Sequence, residues 1–279
     1  MKHIIRIAAV ILAAIVVFAV CDRLPVAFGE LSDIALSNKV TTDGKYAGQL
    51  VLVNAEHRYR NTNAELVNLY KNKTDSFFMG TTEIELQKVA VKPLCDMLDA
   101  FRNETGLKKI NVISGFRSVE SQQEIYKQKA KRYGNLYAKR YVQTPGFSEH
   151  HTGLCVDFSI YNASDGSTED FDGKGEYSWF STNAWKFGFV LRYPKDKEEI
   201  TGISFEPWHF RFVGVPHAFY MTKNNLCLEE YIELVFRKTK SEPLEFDCNK
   251  KTYKVWHSEK KPESKNFSGD NYSGYINWK

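Results

Sequence analysis

Short β-branched runs and amphipathic helical stretches alternate along this chain without a regular repeat, and that irregularity limits the fold more than any other feature. A doubly wound or barrel architecture needs strand and helix in steady succession, each helix returning the chain to a parallel neighbour. Here "KINVISGFR" (109–117), "LCVDFSI" (154–160) and "EPWHFRFVG" (206–214) read as strands, as does "QLVLVNAEH" (49–57). "EIELQKVAVKPLCDMLDAFR" (83–102) has helical spacing with Pro93 expected to bend or split it. "SVESQQEIYKQKAKRYG" (118–134) is a helix that Ser118 can cap and Gly134 can stop, and "LEEYIELVFRK" (228–238) is the last clear helix. The order predicts an α+β fold, an antiparallel sheet with helices packed on it.

The 279 residues suffice for one substantial domain plus an appendage. The N-terminus reads differently from the rest. Lys2 and Arg6 precede an uncharged apolar run from Ile7 to Val20, so residues 1–21 are expected to be a secretory signal or a membrane anchor. Residues 22–48 read as a linker, 49–239 as the principal domain and 240–279 as a small β extension. Under either reading of residues 1–21 the body works outside the cytoplasmic membrane, touching it only through that segment. A net charge of +4 gives no nucleic-acid footprint, and a monomer is expected. Beyond Cys21 there are four cysteines, Cys95, Cys155, Cys227 and Cys248, with no C-x-x-C spacing for a zinc cluster. A Cys227–Cys248 disulfide would tie the extension to the principal domain.

The chemistry concentrates in "SEHHTGLCVD" (148–157) and "EPWH" (206–209). Imidazole and carboxylate are suitable first ligands for zinc, and a catalytic zinc needs three protein ligands with one position open. His150, Asp157 and His209 supply that set, and Glu206 stands three residues before His209 as a candidate base. Two neutral histidines and one aspartate would leave the ion a strong Lewis acid. Taken singly, His209 beside Trp208 and Phe210 reads as a hydrogen-bonded core histidine, and Asp157 as a strand-end residue. Together they point to metal-assisted hydrolysis.

These blocks resemble a family. "SEHHTGLCVD" fits Ser-x-His-x-x-Gly-x-x-x-Asp, "EPWH" fits Glu-x-x-His, and "SGFRSVESQ" upstream fits a Ser-Gly-Tyr/Phe-Arg-Ser block. In this order they are similar to the VanY-type D-alanyl-D-alanine carboxypeptidases, over roughly residues 50–237. The resemblance implies the D-Ala-D-Ala peptidase, Hedgehog-like zinc fold and a single zinc ion held by His150, Asp157 and His209. It implies Glu206 as catalytic base, Arg117 as a group acting on substrate near the scissile bond, and Gln122 and Ser148 as positions that hold the peptide. The implied substrate is a peptidoglycan stem peptide ending in D-Ala-D-Ala. His151 fits no ligand position and is expected to lie behind the site or to be exposed. Cys155 stands where the family usually has alanine, and strand alternation puts it on the same face as Asp157.

Other readings stay open. An L,D-carboxypeptidase trimming tetrapeptide stems would share the metal site. A non-catalytic wall-binding protein could keep zinc as a structural part, although such a site has no need of Glu206. A penicillin-binding serine enzyme is disfavoured: Ser258-x-x-Lys261 lies in a charged tail, Ser181-x-Asn183 precedes it, and no K-T-G follows.

Overall fold

A computed structural model describes residues 44–61 and 63–279. The expected signal or anchor, Cys21 and most of the linker lie outside the described residues. Among the described residues no helix is long and apolar enough to cross a membrane.

The strands are β1 (Leu66–Asn68), β2 (Phe78–Met79), β3 (Glu85–Gln87), β4 (Ile110–Ser114), β5 (Cys155–Tyr161), β6 (Thr168–Asp170), β7 (Phe189–Leu191), β8 (His209–Phe212), β9 (Leu244–Cys248), β10 (Lys251–Ser258), β11 (Phe267–Gly269) and β12 (Tyr275–Trp278). The helices are α1 (Lys88–Thr105), α2 (Val119–Tyr133), α3 (Asn135–Tyr141), α4 (Trp179–Asn183), α5 (Glu198–Thr201), α6 (Val215–Lys223) and α7 (Leu228–Phe236). The fold is α+β, and its central sheet runs in the order β2-β4-β5-β8-β7. All pairings in it are antiparallel except β2 with β4, so the sheet is mixed rather than wholly antiparallel. One edge of β5 meets β4; the other meets β8 along Cys155–Asp157 and β6 along Ser159–Tyr161. The C-terminal residues form a second antiparallel sheet, β11-β12-β10-β9.

The apolar sequence pattern explains the layering. Val156, Phe158, Phe210 and Phe212 point to one side of the sheet and join α1 residues such as Leu94, Leu98 and Phe101 in the main core. Their neighbours Cys155, Asp157, His209 and Arg211 therefore point to the other side. A second core gathers Leu50, Leu52, Val213, α6, α7 and the C-terminal strand residues Val255 and Ile276.

Local expectations met several corrections. "QLVLVNAEH" is not a sheet strand: Leu50–Val53 are buried in an extended stretch that bonds instead to Ser268, Asp270 and Arg211. The helix expected from Glu83 starts at Lys88, because Glu85–Gln87 pairs with β1. Pro93 sits inside α1 without splitting it, the helix forgoing the one bond its amide would have made to the Val89 carbonyl. Ser118 caps α2, accepting from the Ser121 amide, and Gly134 ends it as expected. Helix α6 was not foreseen, although Pro216 near its start is a usual opening. The four described cysteines are all buried free thiols, so the Cys227–Cys248 bridge is absent. Cys227 serves instead as the N-cap of α7, with Glu230 closing a capping box.

The second core carries a pH liability. His217 on α6 is buried, its Nδ1 2.7 Å from the Tyr231 hydroxyl and its ring edge-on to Trp278. Burial pushes its pKa down to about 3. A histidine depressed in the folded state favours folding fully above its unfolded value and loses that contribution as pH falls towards its folded value. Lowering pH from 7 to 4 should therefore remove about 3 kcal/mol of stability through this group. Denaturant titrations should show His217→Gln with a shallower acid slope than the parent; equal slopes would remove His217 as a source.

Candidate metal centre

Register between β5 and β8 builds the site. Asp157 lies directly across from His209, and Cys155 across from Arg211. On the other edge of β5, a bulge between Val112 and Ser114 brings Ser114 opposite Asp157 and turns Ile113 outward. The chain then passes through Gly115, where a Cβ would lie 2.5 Å from the Glu85 carbonyl oxygen, so only glycine fits that approach. His150 comes from the short turn of 3₁₀ helix Glu149–Thr152, capped by Ser148. Gly153 ends that turn at φ 66°, with Leu66 only 2.7 Å from where a Cβ would stand.

Both imidazoles aim a ring nitrogen at one carboxylate. His150 Nδ1 is 2.7 Å from the Gly115 carbonyl oxygen, which fixes the proton there and leaves Nε2 facing Asp157 Oδ2 at 3.1 Å. His209 Nε2 faces Glu149 Oε2 at 3.5 Å and has no other partner, while its Nδ1 faces Asp157 Oδ1 at 2.9 Å. With both rings neutral and their protons on the far nitrogens, two lone pairs would face two carboxylate oxygens and repel unless a cation lay among them. Protons meet that demand in part: burial pushes His150 down, but the facing Cys155 and Asp157 outweigh it and raise its pKa to about 9. Burial likewise works against an ionised Asp157, yet His150 holds it well below the usual carboxylate range. A zinc ion meets the same demand with one charge centre, and the arrangement fits it: each ring's far nitrogen is directed at an acceptor, the usual way a ligating histidine is oriented.

Cys155 enters this group. Its Sγ and a ring nitrogen of each of His150 and His209 lie within 4.8 Å of one another, all three residues buried, so His150, Cys155 and His209 also form a candidate metal-holding set. Burial pushes the Cys155 thiol up, but His150 and His209 overcome it and lower its pKa to about 7. Removing Asp157 takes away both oxygens between the rings, whereas removing Cys155 leaves them in place. Asp157→Ala is therefore expected to lose bound zinc on dialysis while Cys155→Ala keeps it, as read by elemental analysis of the dialysed proteins. Equal loss in the two variants would make the thiolate a principal ligand and contradict the carboxylate assignment.

Glu206 stands beside the group, Oε2 3.9 Å from His209 Nδ1, with burial raising its pKa to about 7. Arg117 donates from Nη1 to Gln122 Oε1 at 2.8 Å and from Nη2 to Ser114 Oγ at 2.9 Å, with Nη2 3.9 Å from Asp157 Oδ2. Gln122 is buried, and its Nε2 donates to the Gln143 carbonyl, so both ends of its amide are engaged in holding Arg117 and the following loop. Ser148 is buried as the cap beneath His150. His151 is buried rather than exposed: its Nε2 accepts from the Gly146 amide and its Nδ1 faces the Arg117 carbonyl oxygen at 2.7 Å. Burial lowers its pKa to about 4, and as a neutral ring it staples the loop before His150 to the chain after β4.

Sequence reasoning missed the charges behind the metal centre. Glu149 is buried, with Oε1 2.7 Å from both Arg192 Nε and Arg211 Nη1. Arg192 continues to Glu229 through two further contacts of 2.6 and 2.8 Å. Burial alone would raise Glu149, but the two guanidiniums hold it far below the usual carboxylate range. The available signal was an arginine inside each of two apolar runs, "FVLRYP" and "HFRFVG", where an unpaired charge is not tolerated.

Comparison with known proteins finds similar chains and structures. The family model for VanY D-alanyl-D-alanine carboxypeptidase matches residues 83–215. A bifunctional D-Ala-D-Ala dipeptidase and D-Ala-D-Ala carboxypeptidase, VanXYC of Enterococcus gallinarum, is 41% identical over 130 residues, 46% of this chain and 68% of the relative. The solved structure of the vancomycin-resistance D,D-dipeptidase VanXYg, in complex with a D-Ala-D-Ala phosphinate analogue, aligns with a TM-score of 0.73 at 31% identity, covering 84% of this chain and 94% of that one. A VanY D,D-pentapeptidase solved with Zn(II) aligns with a TM-score of 0.55 at 35% identity, over 66% and 98% of the two chains.

Proposed function

Because the chain belongs to the VanY family of D-alanyl-D-alanine carboxypeptidases, we propose that it removes the terminal D-alanine from peptidoglycan stem peptides ending in D-Ala-D-Ala. The observation that carries this reading is the pair of imidazole nitrogens facing both oxygens of Asp157, with the raised carboxyl of Glu206 alongside. His150, Asp157 and His209 would hold the zinc, with Cys155 as the nearest further donor. When bound, zinc supplies Lewis acidity towards a carbonyl oxygen and makes water easier to deprotonate.

The protein's own residues supply the rest. A positioned carboxylate beside the metal can act as the base, and burial raises the Glu206 pKa in the metal-free protein, opposing the lowering that a bound dication would bring. Glu206 takes a proton from the attacking water and returns it to the amine of the departing D-alanine. Arg117 presents a guanidinium fork beside the group, suited to a terminal carboxylate or to the charge that develops on the carbonyl oxygen. Gln122 and Ser114 fix that fork, so little of its ordering is left to occur on binding. Ser148 acts through the turn that carries His150. We place the catalytic body outside the cytoplasmic membrane, where stem peptides of the wall lie, on the pattern of residues 1–21.

Stripping the purified protein with a chelator should reduce release of D-alanine from a D-Ala-D-Ala-terminated peptide to background, and zinc should restore it. Undiminished release from protein shown to be metal-free would overturn the reading.

A further inference from the structure

The overall charge of +4 hides a local concentration. Residues 127–141, "KQKAKRYGNLYAKRY", hold six Lys or Arg and no Asp or Glu. The other 264 residues carry 32 basic against 34 acidic side chains, a net of −2. Most of the chain is thus nearly neutral, and its positive field comes from one segment.

That segment is the hairpin of α2 and α3, joined at Gly134. Residues 131–137 are all exposed. Tyr133, Tyr137 and Tyr141 form a ladder along it, with successive ring centroids 4.7 and 4.6 Å apart and each ring between 38 and 46% exposed. Leu136 beside them is 87% exposed, the most exposed large apolar side chain among the described residues. Lys129 and Arg132 lie over the Tyr133 ring. The internal packing of the hairpin falls to other residues, such as the buried Ala138.

We propose that this hairpin docks on an anionic lipid bilayer surface. Three features select that partner. Clustered Lys and Arg are drawn to anionic headgroups, each contributing separately. Tyrosine rings settle at the headgroup level, where one edge is apolar and the other wet. Leu136 gains nothing from a soluble polyanion but loses water-exposed apolar area on entering the boundary between headgroups and acyl chains. Charge alone would fit any polyanion; the exposed leucine among the tyrosines favours the bilayer.

The hairpin is rooted in the site. Its first helix begins two residues after Arg117, and Gln122 ties it to Gln143 at the hairpin's far end. Docking would therefore hold the cleft close to a membrane, in reach of membrane-borne peptide. The docking itself does not depend on the reaction proposed above, and its test reads no hydrolysis.

The test uses the full chain incorporated in vesicles, so that any contribution of residues 1–21 is common to every arm. Vesicles of phosphatidylcholine alone are compared with vesicles containing phosphatidylglycerol at physiological ionic strength. Trypsin cleavage after Arg132 and Lys139, sites kept in every variant below, is followed by mass. The expected result is cleavage at least tenfold slower on the phosphatidylglycerol vesicles, with most of that difference lost in a K127Q/K129Q/K131Q variant and substantially reduced in L136S. Equal cleavage on the two vesicle types would overturn the proposal. Full protection in L136S, or equal protection by soluble polyphosphate on phosphatidylcholine vesicles, would overturn the bilayer as partner and leave a general polyanion contact.

Discussion

Glu206→Gln is expected to lower turnover of a D-Ala-D-Ala-terminated peptide by roughly 10²–10⁴-fold, the usual contribution of a positioned acid–base group. Zinc content should stay at the parent level, because Glu206 lies beside the facing nitrogens and oxygens and is not one of them. The substitution keeps the shape of the side chain and removes its ability to take a proton. Burial raises the Glu206 pKa to about 7 in the metal-free protein; a bound dication would pull it down. Steady-state rates with metal analysis on the same preparations separate the cases. Unchanged turnover with full zinc would reject Glu206 as the base. Loss of turnover together with loss of zinc would make Glu206 part of the metal centre.

Glu149→Gln should have the largest effect on stability, about 3–5 kcal/mol, because it leaves buried positive charge without its partner. Arg192 would retain Glu229, and Arg211 would retain the carbonyls of Gln49, Val51 and Phe212. Neither replaces the carboxylate that now faces both guanidiniums. The same carboxylate faces His209 Nε2, so zinc affinity should also fall, by roughly 10–100-fold for a lost orienting partner. Denaturant unfolding and competitive zinc titration read the two effects separately. A variant as stable as the parent would show that the buried arginines are adequately satisfied without Glu149.

The sequence exposed the residues of the candidate metal centre more readily than their supports. His150, Asp157, His209 and Glu206 sit in two short motifs whose residue types announce metal chemistry, and strand alternation alone put Cys155 on the Asp157 face. Strand pairing could not be read: nothing in "LCVDFSI" and "HFRF" says that Asp157 will meet His209, since register depends on partners distant in the chain. Glu149 was hidden for the same reason, because its arginines lie 43 and 62 residues away. His151 looked like a loop residue of no fixed role. Its burial depends on Gly146 and Arg117 converging on it, which only the folded loop shows. The Leu50–Val53 stretch has a strand's composition, yet its backbone partners are side chains and the C-terminal segment rather than a neighbouring strand. Composition fixes a preference for extended backbone, not the ladder it joins.

The most direct test of the central claim is to incubate the zinc-loaded protein with a pentapeptide stem ending in D-Ala-D-Ala and, in parallel, with the tetrapeptide stem, and to weigh the products. The account predicts loss of a single alanine from the pentapeptide alone. Trimming of the tetrapeptide alone would contradict the D,D assignment and make the enzyme an L,D-carboxypeptidase with the same metal centre, and cleavage of neither would contradict hydrolysis of stem peptides altogether.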